Sequence, residues 1–349
     1  MPYTHIFSSH SMLQEQLTDA IIREEGLAPE NVLVIRARGS FRPEERAAYR
    51  ILDGGRFATS GGYNIVKHRR RNRAVYELFQ REVLNGLAEG FQLYSAMYTY
   101  WYLWALKRRS GAYHIMEDGF GSYQTLAEQQ TFFRTMSTTT LGQRLAVLRR
   151  RAAQLPEQRP GKTDFNALLA GAASFCVTSA QCFPWALPER KRVVTQPFLP
   201  RWIGEYEGAV VLGTSCFVES KVFPLAEYLP LLRGVLQKIV GRGIGELFVK
   251  FHPAQAANTS NAAAYRAVLA EFADRIRITE LPQGTSIESL AAGNRITFIT
   301  GVSTLAFHVE ATGATVLSYL EDVEKIGPHA TGYLAKGGME IFRRITQPL

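Results

Sequence analysis

Three short loops carry the side chains in this sequence whose types and order could do chemistry. They are Met116-Glu-Asp-Gly-Phe-Gly-Ser122, His252-Pro253 and Gly301-Val-Ser-Thr-Leu305. Each follows a run of apolar residues that ends abruptly. The run Leu247-Phe-Val-Lys-Phe251 has the composition of a buried strand, and Pro253, which cannot donate to a strand ladder, stops it. His252 is thereby placed at the carboxyl end of a strand, where open parallel sheets bind their ligands.

The chemistry on offer differs from loop to loop. Glu117 and Asp118 are adjacent, so on leaving a strand they point in different directions. One carboxylate can face a ligand while its neighbour is held by backbone amides, and Gly119 and Gly121 permit a tight turn beside them. A single aspartate so placed can take a proton from an acceptor hydroxyl; a surface Asp-Gly turn is the plainer alternative. His252 titrates near neutrality and can donate to a phosphate oxygen or a leaving group, or simply bond to backbone. Ser303 and Thr304 stand where a helix should open, able to cap it or to hold phosphate beside its exposed amides. Gly213 and Thr214 follow another strand and could approach a nucleotide. Glu288 fits a capping box with Thr285, or could accept from ribose hydroxyls.

The elements that must position these loops read as repeated β-α alternation, which implies parallel sheets. Strands are expected at 4–9, 31–36, 113–116, 172–178, 193–198, 209–213, 247–251, 276–279, 295–300 and 314–318. Helices are expected at 12–25, 123–155, 225–240 and 261–273. The stretch 74–109 reads as helical throughout, with Gly86 and Gly90 as weak points. Its aromatic part, Phe91 to Leu106, reads as a buried helix, because Gln92, Ser95 and Thr99 interrupt any membrane-spanning run. An interfacial helix is the alternative, since Lys107-Arg-Arg109 follows directly.

A chain of 349 residues with 46% hydrophobic and 20% charged residues has the composition of an ordered globular protein, long enough for two domains. The amino terminus lacks a basic segment followed by an apolar one, and Cys176, Cys182 and Cys216 lack metal-ligand spacing. Both features lead us to expect reduced thiols in a cytoplasmic protein. The net charge of +9 is clustered at Lys67–Arg73, Lys107–Arg109, Arg149–Arg151 and Glu189–Arg192. Such a surface favours an anionic partner. The sequence has no helix-turn-helix, zinc or RNP-type motif, so nucleic acid is not expected.

Taken together, Glu117-Asp118-Gly119, His252-Pro253 and Ser303-Thr304 resemble, in their order and strand-end placement, the motifs of bacterial GT-B-type sialyltransferases. The resemblance spans most of the chain on motifs of two or three residues. It implies two Rossmann-like domains facing a central cleft: an acceptor-side domain over 1–200 and a donor-binding domain over 201–325. Residues 326–349 would cross back to the first domain. It implies a CMP-activated nonulosonic acid as donor and no cofactor or metal. Asp118 would be the general base, with Glu117 beside it. His252, set by Pro253, would bind the CMP phosphate and assist its departure. Ser303, Thr304, Gly213 and Thr214 would line the phosphate, and Glu288 the ribose or base. Transfer would invert the anomeric centre and extend an anionic glycan or glycolipid acceptor of a capsule or lipopolysaccharide, with the enzyme in the cytoplasm or peripheral at the anionic inner membrane face. A CMP-Kdo transferase and a UDP-sugar transferase on the same scaffold are the alternatives; a basic nucleic-acid-binding protein is the distant one.

Overall fold

The computed structural model describes residues 2–36, 48–60, 64–96, 100–130, 141–158, 171–326 and 339–349. The chain divides into two compact units, Met1–Pro197 and Phe198–Leu349.

The first unit is built on seven strands: β1 (Tyr3–Ser9), β2 (Val32–Arg36), β3 (Arg50–Asp53), β4 (Leu87–Ser95), β5 (Ala112–Met116), β6 (Ser174–Val177) and β7 (Lys191–Val193). Their order is β3-β2-β1-β4-β5-β6-β7, with every pairing parallel. The run Val32-Leu-Val-Ile35 shows why: it is buried on both faces, as parallel strands under helices must be. The helix Met12–Glu24 follows β1 and is opened by Ser11, whose hydroxyl accepts from the Gln14 amide at 3.3 Å.

The structure corrects the helix expected across 74–109. A helix ends at Glu82, β4 occupies Leu87–Ser95, and a short helix covers Trp101–Lys107. The break comes at Val83, which leaves the helical conformation, a short 3-10 turn covers Leu84–Gly86, and Gly90 adopts φ +67°, which disfavours any other residue. β4 lies next to the central β1, so its apolar residues are not restricted to one face and leave no strand period to read. The aromatic stretch from Phe91 is therefore a core strand and a core helix, with Phe91, Tyr94, Trp101 and Tyr102 all buried. Positions 131–140 of the helix expected over 123–155 lie outside the described residues; Leu141–Ala153 is helical.

The second unit carries β8 (Val210–Gly213), β9 (Glu246–Lys250), β10 (Arg277–Glu280), β11 (Thr297–Thr300), β12 (Thr315–Ser318) and β13 (Gln347–Pro348). These are also all parallel, in the order β10-β9-β8-β11-β12-β13. Both sheets thus start with their first strand in the middle and reverse direction beside it, the doubly wound Rossmann arrangement. The reversal point lies between β1 and β4 in one sheet and between β8 and β11 in the other.

A second correction concerns the end of the chain. The described part of 326–349 joins the second unit: Phe342 of the helix Met339–Ile345 packs edge-on against Phe307, and β13 pairs with β12. Residues 327–338 lie outside the described residues.

Candidate functional site

The carboxyl edge of the first sheet collects polar side chains from three strand ends. Glu117, one residue past β5, is fully buried. It accepts from the Thr178 amide and hydroxyl, both at 2.8 Å, and from the Tyr123 hydroxyl at 2.9 Å. Burial, and after it the Glu117 charge, raises the Tyr123 pKa well above its usual value, so the phenol remains a donor. Glu117 is the anchored carboxylate of the pair; it ties the end of β5 to the end of β6.

Asp118 is the carboxylate left accessible, with 20% of its side chain exposed. Its amide donates to Ser122 Oγ at 2.8 Å, and Gly119, at φ +66°, makes the turn that brings Ser122 back. Asp118 Oδ1 lies 2.7 Å from Nε2 of His10. His10 directly follows β1 and so stands at the reversal point of the sheet. Gln14 braces the pair: its Oε1 accepts from the His10 amide at 3.0 Å, and its Nε2 donates to the Glu117 carbonyl and to Asp118 Oδ1. Sequence reasoning passed over His10. Its only signal was its position in Ser8-Ser-His-Ser11, a polar break directly after the first strand.

At the carboxyl edge of the second sheet, His252 opens the helix Pro253–Ala257. Its Nδ1 accepts from the Ala254 amide at 3.1 Å, so a neutral ring carries its proton on Nε2. Desolvation lowers the His252 pKa against the opposing charge of Glu219. The backbone of His252 is held from its own helix and from the end of β8: its amide reaches Gln255 Oε1 at 3.1 Å and Thr214 Oγ1 at 3.3 Å. Gln255, fully buried, also donates to the Ser215 carbonyl. Thr214 is therefore a brace between strand ends, and Pro253 fixes the backbone that follows the histidine.

Gly213 serves packing: a Cβ there would meet the Phe298 ring at 2.7 Å. Gly301 lets β11 close on its neighbours, since a Cβ would meet Tyr319 at 2.7 Å and Ser215 Oγ at 3.0 Å. The helix expected to open at Ser303 begins at Leu305. Ser303 Oγ accepts from the Leu305 amide at 3.2 Å, and Thr304 makes no side-chain cap bond, so the two adjacent hydroxyls are used differently. Glu288 is buried, accepts from Ser286 Oγ at 2.9 Å and lies 3.8 Å from His308 Nδ1. Burial raises its pKa, but His308, the backbone amide of Glu288 itself and the Ser286 hydroxyl together hold it below the usual carboxylate value. Ser286, not Thr285, caps this helix. Lys250, at the end of β9, donates to the carbonyls of Pro282 and Gln283; burial brings its pKa down to about 8, with Glu280 and Glu288 opposing.

Among the described residues no group of three or more His, Cys, Asp or Glu side chains is placed to hold a metal ion. No protein-family model and no curated protein sequence matches the chain. Solved structures do. A point variant of the wall teichoic acid polymerase TagF aligns with a TM-score of 0.50 and 12% identity, over 100% of this chain and 76% of that one. WaaG, a glycosyltransferase involved in lipopolysaccharide biosynthesis, aligns at 0.43 and 12% over 92% and 84%. A UDP-GlcNAc 2-epimerase from Methanocaldococcus jannaschii aligns at 0.48 and 8% over 91% and 83%. The two Rossmann-like sheets and the first of these likenesses define the class: an α/β protein of GT-B-like fold, with two parallel-sheet domains. The particular reaction has to be argued from the side chains.

Proposed function

We propose that this chain is a metal-independent, inverting glycosyltransferase that moves a sialic acid or a related nonulosonic acid from its CMP donor to a hydroxyl of a bacterial surface glycan. One observation carries the reading: of two adjacent carboxylates, Glu117 is buried and bound, whereas Asp118 is accessible and braced by His10. That division of labour suits a base held ready for an acceptor hydroxyl.

In this mechanism His10 donates from Nε2 to Asp118 Oδ1, leaving Oδ2 for the acceptor. Asp118 takes the hydroxyl proton as the acceptor oxygen attacks the anomeric carbon. The bond from that carbon to the CMP phosphate breaks on the opposite face, and the electron pair leaves with the phosphate. His252 enters as a neutral ring with Nε2–H aimed away from its own backbone, a donor for the departing phosphate oxygen. The hydroxyls of Ser303 and Thr304 add further donors where charge develops. An anion so bound would raise the His252 pKa and favour proton delivery. Glu288 is assigned to the ribose side, held in place by Ser286 and His308. Gly213, Thr214 and Pro253 shape the loops on the nucleotide side. Glu117 is assigned no catalytic step.

Transfer and donor hydrolysis with CMP-sialic acid, CMP-Kdo and UDP-sugars test the reading. Release of CMP from the sialyl donor, lost in Asp118→Asn, is the expected result. Turnover of CMP-Kdo alone moves the assignment to a Kdo transferase. Turnover of UDP-sugars alone removes the CMP assignment while keeping the class.

A further inference from the structure

We infer that the first unit carries a docking surface for an anionic lipid bilayer, formed by the helices Ile65–Glu82 and Leu141–Ala153. The two helices are joined through Asn72, fully buried, which donates to the Ala153 carbonyl at 2.9 Å. Gln158 Nε2 closes the junction by donating to the Asn72 carbonyl at 2.7 Å. Their outward sides therefore belong to one region of the unit.

On the first helix, Val66, Arg69, Arg70 and Arg73 are spaced i, i+3, i+4 and i+7, which puts them on one side. All four are exposed, Val66 by 66%, and so are the neighbouring Ile65, Lys67 and Arg71. None of these five basic side chains pairs with an acid among the described residues. On the second helix, Leu145 and Leu148 share a side at i, i+3 and are 43% and 60% exposed. Val147 and Arg151 are exposed on the same helix.

Large aliphatic side chains left in water beside unpaired cations mark a surface that meets something both apolar and negative. A dissolved polyanion satisfies the arginines but gains nothing from Val66, Leu145 and Leu148. A bilayer interface of anionic lipid satisfies both, with the aliphatics in the headgroup boundary and the cations among phosphates. No helix among the described residues is long and apolar enough to cross a membrane, so the contact is with the surface. This inference stands apart from the choice of donor sugar.

Flotation of the full chain with vesicles tests it. The protein should bind vesicles of equal parts phosphatidylglycerol and phosphatidylcholine and leave vesicles of phosphatidylcholine alone. Each of Arg70→Glu and Arg73→Glu should lower partitioning by at least about fivefold. The double change Val66→Ser with Leu148→Ser, at exposed positions that leave the fold intact, should lower it about tenfold. Circular dichroism of each variant checks that the fold is kept. Absence of binding to the anionic vesicles overturns the inference. So does binding that the serine variant leaves unchanged while soluble heparin abolishes it, which would make the face a polyanion site.

Discussion

At the residue scale the informative pair is Glu117 and Asp118, two carboxylates one bond apart in sequence with opposite circumstances. Asp118→Asn keeps size and hydrogen bonding but cannot accept a proton. It should lower transfer by about a thousandfold, the range of a lost general base, with CMP affinity unchanged by titration calorimetry. His10→Gln should lower kcat more than KM in steady-state assays, because His10 lies 2.7 Å from Asp118 and acts through it; a purely structural role would lower the yield of folded enzyme without dividing the loss in that way. Glu117→Gln presents an amide to the Thr178 amide and hydroxyl donors. It should cost about 2–4 kcal/mol of stability in denaturant melts, because donors are left without an acceptor in a buried site.

At the scale of the element, the first sheet carries a polar row across its strands. His5 on β1 lies 3.6 Å from Glu25, Tyr94 on β4 stacks on His114 of β5 with centroids 4.4 Å apart, and Arg192 of β7 pairs with Glu24 and Glu25. His114 bonds Ser174 Oγ at 2.8 Å and Gln92 Oε1 at 3.1 Å. Burial lowers its pKa from 6.5 to about 4, with Glu25 opposing and Arg192 and His5 assisting. The folded state thus binds fewer protons than the unfolded chain between those two values. The stability due to this neutral ring is fully present above pH 6.5 and is lost as pH falls toward about 4. After screening at a partly exposed site it amounts to about 1–2 kcal/mol, and His114→Gln should flatten the corresponding slope in urea melts taken across that window.

The same sheet shows why β4 escaped a reading by periodicity. A Cβ at Gly111 would meet the Gly90 carbonyl at 2.6 Å, so the close approach of β5 to β4 depends on a glycine whose reason is tertiary. His252 and Asp118, by contrast, were legible as strand-end residues, because a proline or glycine directly after an apolar run marks the end of a strand whatever surrounds it.

At the scale of the whole molecule, two Rossmann-like units each carry one half of the proposed chemistry, the base in one and the phosphate donors in the other. Two such units should give two unfolding transitions in calorimetry. CMP at about a hundred times its Kd should stabilise only the unit holding His252, Ser303 and Thr304, by about 2.7 kcal/mol. A shift confined to the other transition would relocate the donor site.

By itself the sequence determined the β-α alternation, the strand ends that carry Asp118, His252 and Ser303, and the basic bias of the first unit. These are local properties: apolar runs, the residues that terminate them, and charge along the chain. Only the tertiary structure decided that β4 is a strand, that the chain's last described residues join the second sheet, that Glu117 is an anchor, and that His10 stands 2.7 Å from Asp118. His10 and Asp118 are more than a hundred residues apart in sequence. They meet because β1 and β5 flank β4 in a parallel sheet, and parallel pairing sends every carboxyl end to the same edge.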